Sequence, residues 1–108
     1  MAIIHIKDAD QFKKEIISHK GLVVLDFRAE WCGPCRMIGP VMEELEHDNA
    51  EKGVIVAKVN VDENPQVTAQ FKVRNIPTVL FIKGGEVVDK QVGAVPKASY
   101  KALVEKNL

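Results

Sequence analysis

Cysteine is scarce in this chain, which has two in 108 residues. A framework of several disulfides is thereby excluded. A zinc half-site would also use a close cysteine pair, but structural zinc wants four ligands, no second pair exists, and His5, His19 and His47 are scattered without ligand spacing. Charge of one sign is lacking too. Fifteen basic and fifteen acidic residues cancel, with no run of like charge, so nothing favours nucleic acid or an anionic membrane as partner. Apolar runs stay far short of the about 20 residues that span a bilayer. Met1 to Lys7 has no basic stretch leading into an apolar segment, so the expected location is cytoplasmic. Repeats, linkers and low-complexity segments are also missing. What remains is 46% hydrophobic residues, enough for one core, and a single domain over 1–108 is expected, as a monomer.

Apolar periodicity supplies the elements. Ile3, Ile4 and Ile6 suggest a short strand. Asp8 with Gln11 has the spacing of a capping box, opening a helix that buries Phe12, Ile16 and Ile17. Gly21 ends that unit, and Leu22 to Phe27 is apolar except at Asp26, as in a central strand covered on both faces. Met37, Ile38, Val41, Met42 and Leu45 recur at helical spacing, with a kink expected at Pro40. Val54 to Val61 reads as another strand, and Asn64-Pro65 as the N-cap and first turn of a helix carrying Val67 and Phe71. Thr78 to Ile82 and Val87 to Val92 flank Gly84-Gly85, a hairpin signal. A last helix from Pro96 to about Glu105 should bury Tyr100, Leu103 and Val104. Strand and helix alternate and then a hairpin follows, which predicts an α/β fold: a mixed sheet flanked by helices on both faces.

Both cysteines fall in Trp31-Cys32-Gly33-Pro34-Cys35, where the central strand feeds a helix. Two intervening residues at a helix start bring the sulfurs within bridging reach. In a reducing compartment such a pair favours redox or metal chemistry over a structural bridge. A thiolate is the nucleophile in disulfide exchange, and a helix start, with unpaired donors and the dipole, favours negative charge at Cys32. Cys35, one turn inside, lacks that advantage. The asymmetry makes Cys32 the attacking thiol, which forms a mixed disulfide, and Cys35 the resolving one. Pro34 suits an early helical position, and Gly33 lets another backbone come close. Asp26 is either an outward carboxylate at a strand end or a buried one whose pKa is raised.

Trp31-Cys32-Gly33-Pro34-Cys35, preceded by Asp26 and followed by Pro40 and Ile76-Pro77-Thr78, resembles the thioredoxin family over essentially the whole chain. The resemblance implies the thioredoxin fold with five strands in its sheet. It also implies a protein-disulfide reductase with no bound cofactor beyond a reversible Cys32–Cys35 disulfide, re-reduced by an NADPH-dependent flavoprotein thioredoxin reductase. Asp26 matches the carboxyl that exchanges a proton with the resolving thiol, and Lys58 matches a lysine beside it; spacing alone reads Lys58 equally well as an exposed strand residue. Pro77 matches a cis-proline facing the disulfide, although a proline opening a strand needs no such role. The backbone of Ile76 would then pair with an extended substrate segment. Trp31, Gly33, Pro34, Val61, Asn75, Ile76, Pro77, Val92, Gly93 and Ala94 match the family's flat apolar contact surface. For Val61 and Val92 taken alone, core packing is the simpler reading. Arg28 departs from the pattern, standing where many family members carry an aromatic residue. The sequence leaves two other readings open: an oxidase or isomerase, against which Gly33-Pro34 resembles the reducing branch, and a non-catalytic docking subunit.

Overall fold

The computed structural model describes residues 3–108, so residues 1 and 2 of the expected domain lie outside it. Five strands form one mixed sheet in the order β1-β3-β2-β4-β5. They are β1 (Ile4–His5), β2 (Leu22–Arg28), β3 (Ile55–Asn60), β4 (Thr78–Lys83) and β5 (Glu86–Val92). β3 runs parallel to β1 and β2, whereas β4 runs antiparallel to β2 and β5. The crossover and hairpin expected from the sequence therefore meet at β2, which has a partner on each edge. Gly84 and Gly85 make the β4–β5 turn at φ 61° and 81°, a region where side chains cost energy.

Alternation along β2 sorts its side chains to two layers. Val23, Leu25 and Phe27 face a cluster with Phe12, Ile16, Val67 and Leu80. Leu22 and Val24 face another with Ile38, Met42, Leu45, Phe81, Tyr100 and Val104. The first layer is capped by helices α1 (Ala9–Phe12) and α4 (Pro65–Gln70), the second by α2 (Gly33–Met37), α3 (Gly39–Asn49) and α5 (Lys97–Lys106).

Several local expectations are modified. Asp8 Oδ1 accepts the Gln11 N–H at 2.8 Å, as in a capping box, but Gln11 Oε1 reaches back to the Lys7 N–H at 2.6 Å. After Phe12 the helix widens into a π turn over Lys13–Ile17, leaving Ile17 only half-buried. Leu103 is also half-buried. The helix that was to kink at Pro40 is instead interrupted at Ile38, between α2 and α3. The buried stripe runs through Cys35, Ile38, Met42 and Leu45 on both sides of the break, and Met37, expected on it, falls beside it and is 73% exposed. Asn64 precedes the first turn of α4 without capping it with its side chain. Its buried amide donates instead to the carbonyls of Ile6 and Asn60, both at 3.1 Å, tying β1 to the end of β3.

Phe27 is fully buried beside Phe71, with ring centroids 6.2 Å apart. Phe27→Ala should lower the unfolding free energy in urea by about 3–5 kcal/mol, because it combines lost transfer energy with a cavity under β2. A loss below 1 kcal/mol would mean that this layer is loosely packed.

Candidate active site

The cysteines lie where β2 ends and α2 begins, and they form a disulfide with Cα atoms 5.3 Å apart. Cys32 has extended backbone angles and is the N-cap of α2, and its Sγ accepts the Cys35 N–H at 3.2 Å. Pro34 occupies the first turn, where a missing N–H leaves no bond unmade. Cys32 is 5% exposed and Cys35 1%. Both residues are buried in the disulfide form, and exposure separates them only slightly. The pair packs with Ala29 and against Val61 and Ile76. Among the described residues, no three His, Cys, Asp or Glu side chains are grouped as metal ligands.

Asp26 is buried, which settles its orientation: it lies on the α3–α5 face of β2, opposite Lys58 on β3 and Val79 on β4. Neither carboxylate oxygen has a hydrogen-bond partner among the described residues. Loss of solvation raises its pKa from 3.8 to about 6, and the positive charges of Lys58 and then Arg28 hold it below where burial alone would carry it. Lys58 is half-buried, with its ammonium reaching under Gly39 at the start of α3. A cavity of about 520 Å³ is lined by Ile3, His5, Glu43, Glu46, His47 and Lys58, and of the residues expected at the site only Lys58 is part of it.

Three loops carry the residues expected at the contact face. Trp31, next to Cys32 in the chain, is 69% exposed, and its indole N–H donates to Asp62 Oδ2 at 2.9 Å, which tethers the ring. Gly33 is half-buried and Pro34 exposed. In the second loop the Ile76-Pro77 bond is cis, Asn75 is exposed, Ile76 half-buried and Pro77 buried. The Thr78 hydroxyl donates to the Asn75 carbonyl at 2.5 Å. In the third loop Gly93 donates its N–H to the Pro77 carbonyl at 2.8 Å, so this loop and the proline loop are joined. Val92 is 46% exposed and Ala94 exposed, whereas Val61 is half-buried against the core. Packing thus accounts for Val61 but not for Val92.

Sequence reasoning missed the residues that hold these loops. The Tyr100 hydroxyl donates to the Gly93 carbonyl at 3.2 Å and accepts the Val95 N–H at 3.4 Å, although Tyr100 reads from the sequence as core alone. Asp62, Thr78 and Arg36, whose guanidinium donates to the Glu30 carbonyl at 2.9 Å, are likewise invisible to periodicity. Arg28 is half-buried and pairs with Glu30 at 3.3 Å. No helix among the described residues is long and apolar enough to cross a membrane.

Residues 3–106 match the family model described as thioredoxin. The chain is 48% identical over 97 residues to a thioredoxin of Chlorobaculum thiosulfatiphilum, covering 90% of this chain and 89% of that one. It is 55% identical over 86 residues to thioredoxin 2 of Chlorobaculum tepidum, covering 80% and 78%. A solved Plasmodium falciparum thioredoxin superposes with a TM-score of 0.89 at 36% identity, over 98% of this chain and 100% of that one. With a CxxC disulfide at the strand–helix junction of a matching five-stranded fold, this chain belongs to the thioredoxin family of thiol–disulfide oxidoreductases.

Proposed function

We propose that the chain reduces disulfides in proteins through Cys32, with Cys35 as the resolving thiol and Asp26 as its proton acceptor. The observation that carries this reading is Cys32 at the N-cap of α2, its sulfur accepting a backbone N–H, while Cys35 lies deeper. In the reduced protein the same donor and the helix start favour a Cys32 thiolate. That thiolate attacks one sulfur of a substrate disulfide, and the other sulfur leaves as a thiolate and takes a proton. Cys35, its proton passed toward the Asp26 carboxylate, then attacks Cys32 and expels the second substrate sulfur as a thiolate, which takes up a proton as Asp26 releases its own. Two electrons and two protons reach the substrate, and the Cys32–Cys35 disulfide remains.

Lys58 sets how readily Asp26 holds the proton. Trp31, Gly33, Pro34, Val61, Asn75, Ile76, Pro77, Val92, Gly93 and Ala94 form the contact face, where backbone pairing at Ile76 and apolar contact give little side-chain selectivity. An NADPH-dependent thioredoxin reductase restores the dithiol, and the protein works as a cytoplasmic monomer with no bound cofactor, nucleic acid or membrane. Its substrates are disulfide-containing proteins.

Cys35→Ser should accumulate a covalent mixed disulfide with an insulin chain, visible on a non-reducing gel, while Cys32→Ser should lose reductase turnover with NADPH and thioredoxin reductase. Absence of a trapped species from Cys35→Ser would reverse the two roles or remove the exchange mechanism.

The pKa of Asp26 makes a stability prediction. Its folded value, about 6, lies above the unfolded 3.8, so between those pH values the native state binds more protons and stability falls as pH rises. Asp26→Asn should therefore match the wild type below about pH 4 and exceed it by about 3 kcal/mol above pH 7, the equivalent of about two pKa units. Urea unfolding of the oxidised protein across pH measures this, and equal stabilities at pH 7 would place the carboxylate in solvent. In pre-steady-state exchange, Asp26→Asn should slow release of the mixed disulfide at neutral pH and spare the first attack. An unchanged pH–rate profile would remove Asp26 from the mechanism.

Arg28 lowers the pKa of Asp26 in this chain. Arg28→Leu should shift the carboxyl titration, followed by NMR, upward from about 6. No movement would show that the guanidinium is too well screened to act.

A further inference from the structure

A groove of about 310 Å³ lies between the α2–α3 junction and the loop leading into α5, lined by Met37, Ile38, Val41, Ala94, Val95 and Pro96. Its lining is predominantly apolar. We infer that this groove is a side-chain subsite of the substrate face, taking one large apolar side chain of the polypeptide segment that carries the target disulfide.

This inference rests on the reading of Cys32 as the attacking thiol, and three observations support it. The first is continuity with the contact face: Ala94 belongs to both, and Met37 is two residues beyond Cys35 on α2, a rise of about 3 Å along the helix. A substrate joined covalently to Cys32 and paired at Ile76 can extend one side of its chain toward this ground. The second is that the groove is held open by its surroundings. Its loop wall is anchored by the Tyr100 hydroxyl bonds to Gly93 and Val95, and its floor by buried Ile38. Met37 overhangs it at 73% exposure, a flexible thioether that adapts to varied apolar shapes. The third is size. About 310 Å³ is at the low end for small-molecule sites, which suits a single side chain entering from an extended segment rather than a whole ligand.

Lys97, which also lines the groove, is ion-paired with Glu44 at 2.7 Å and Asp48 at 3.0 Å, so its charge is taken up within the protein and the groove selects by apolar contact. The partner is a disulfide-bearing segment with leucine, methionine or an aromatic residue a few positions from the reacting cysteine.

The test uses peptides whose single cysteine carries a chromophoric thiol in disulfide linkage, with leucine or serine three residues before or after it. The reduced wild-type protein should release the chromophore from one leucine peptide about five- to tenfold faster than from its serine counterpart, as expected from burying roughly half a leucine side chain. Met37→Ser should cut that ratio below about twofold and Met37→Leu should restore it. Because Met37 is exposed, neither change threatens folding. The proposal is overturned if the wild type shows no leucine preference, if Met37→Ser keeps it, or if Met37→Ser moves the Cys32 thiol titration, since the effect would then lie on the nucleophile. It also falls if Met37 controls self-association in sedimentation and not peptide choice, which would make the groove a surface for a second copy. Failure of the wild type to react with any of the peptides would remove the exchange reading itself, and the subsite with it.

Discussion

β2 is paired on both edges and covered on both faces, and the position of the disulfide depends on that confinement. Six consecutive residues, Leu22 to Phe27, are buried, and each has a defined partner on β4. A strand held this way cannot slip by one residue without turning its whole apolar set to the wrong layer. Its C-terminal end is consequently the most fixed point available for launching a loop, and Cys32 follows four residues after Arg28. The short α2 then adds its N-terminal donors at a place the sheet has already determined.

The same confinement explains the cost carried by Asp26. A carboxyl placed on a central strand, with no hydrogen-bond partner among the described residues, is destabilising when charged. Lys58 offsets part of that cost from the adjacent strand, and Arg28 from the same strand two residues on. Neither cation removes it, so the group titrates near neutrality rather than in the ordinary carboxylate range. The stability given up at this position is the counterpart of a carboxyl whose protonation changes within the physiological pH window.

Much of the fold was legible because its signals are local. The apolar run at 22–27, the Gly84-Gly85 turn and the Pro34 helix start each act through their own backbone, and each appears where the residues place it. The expectations that changed depended on each residue's surroundings. Met37 lies next to the stripe of Cys35, Ile38, Met42 and Leu45 rather than on it, and an apolar residue type at that edge does not reveal that it faces solvent. Asn64 has the residue type of a cap, yet its amide satisfies the Ile6 carbonyl, 58 positions away. At the site, the cysteines announce themselves by spacing. Asp62 and Tyr100 do not, since their roles consist of hydrogen bonds, one across 31 positions for Asp62 and two across seven and five for Tyr100.

Those bonds bear on how a reductase serves many partners. If the rim around Cys32 were mobile, each substrate would have to order it, at about 0.5–1.5 kcal/mol for every side chain immobilised. Here Trp31 is already tethered to Asp62, the Gly93 loop to Tyr100, and the Gly93 backbone to Pro77. The ordering cost has been met during folding, and none of the tethers uses a group that a substrate must match. A face prepared in this way spends little on ordering itself, so backbone and apolar contacts with a partner count nearly in full.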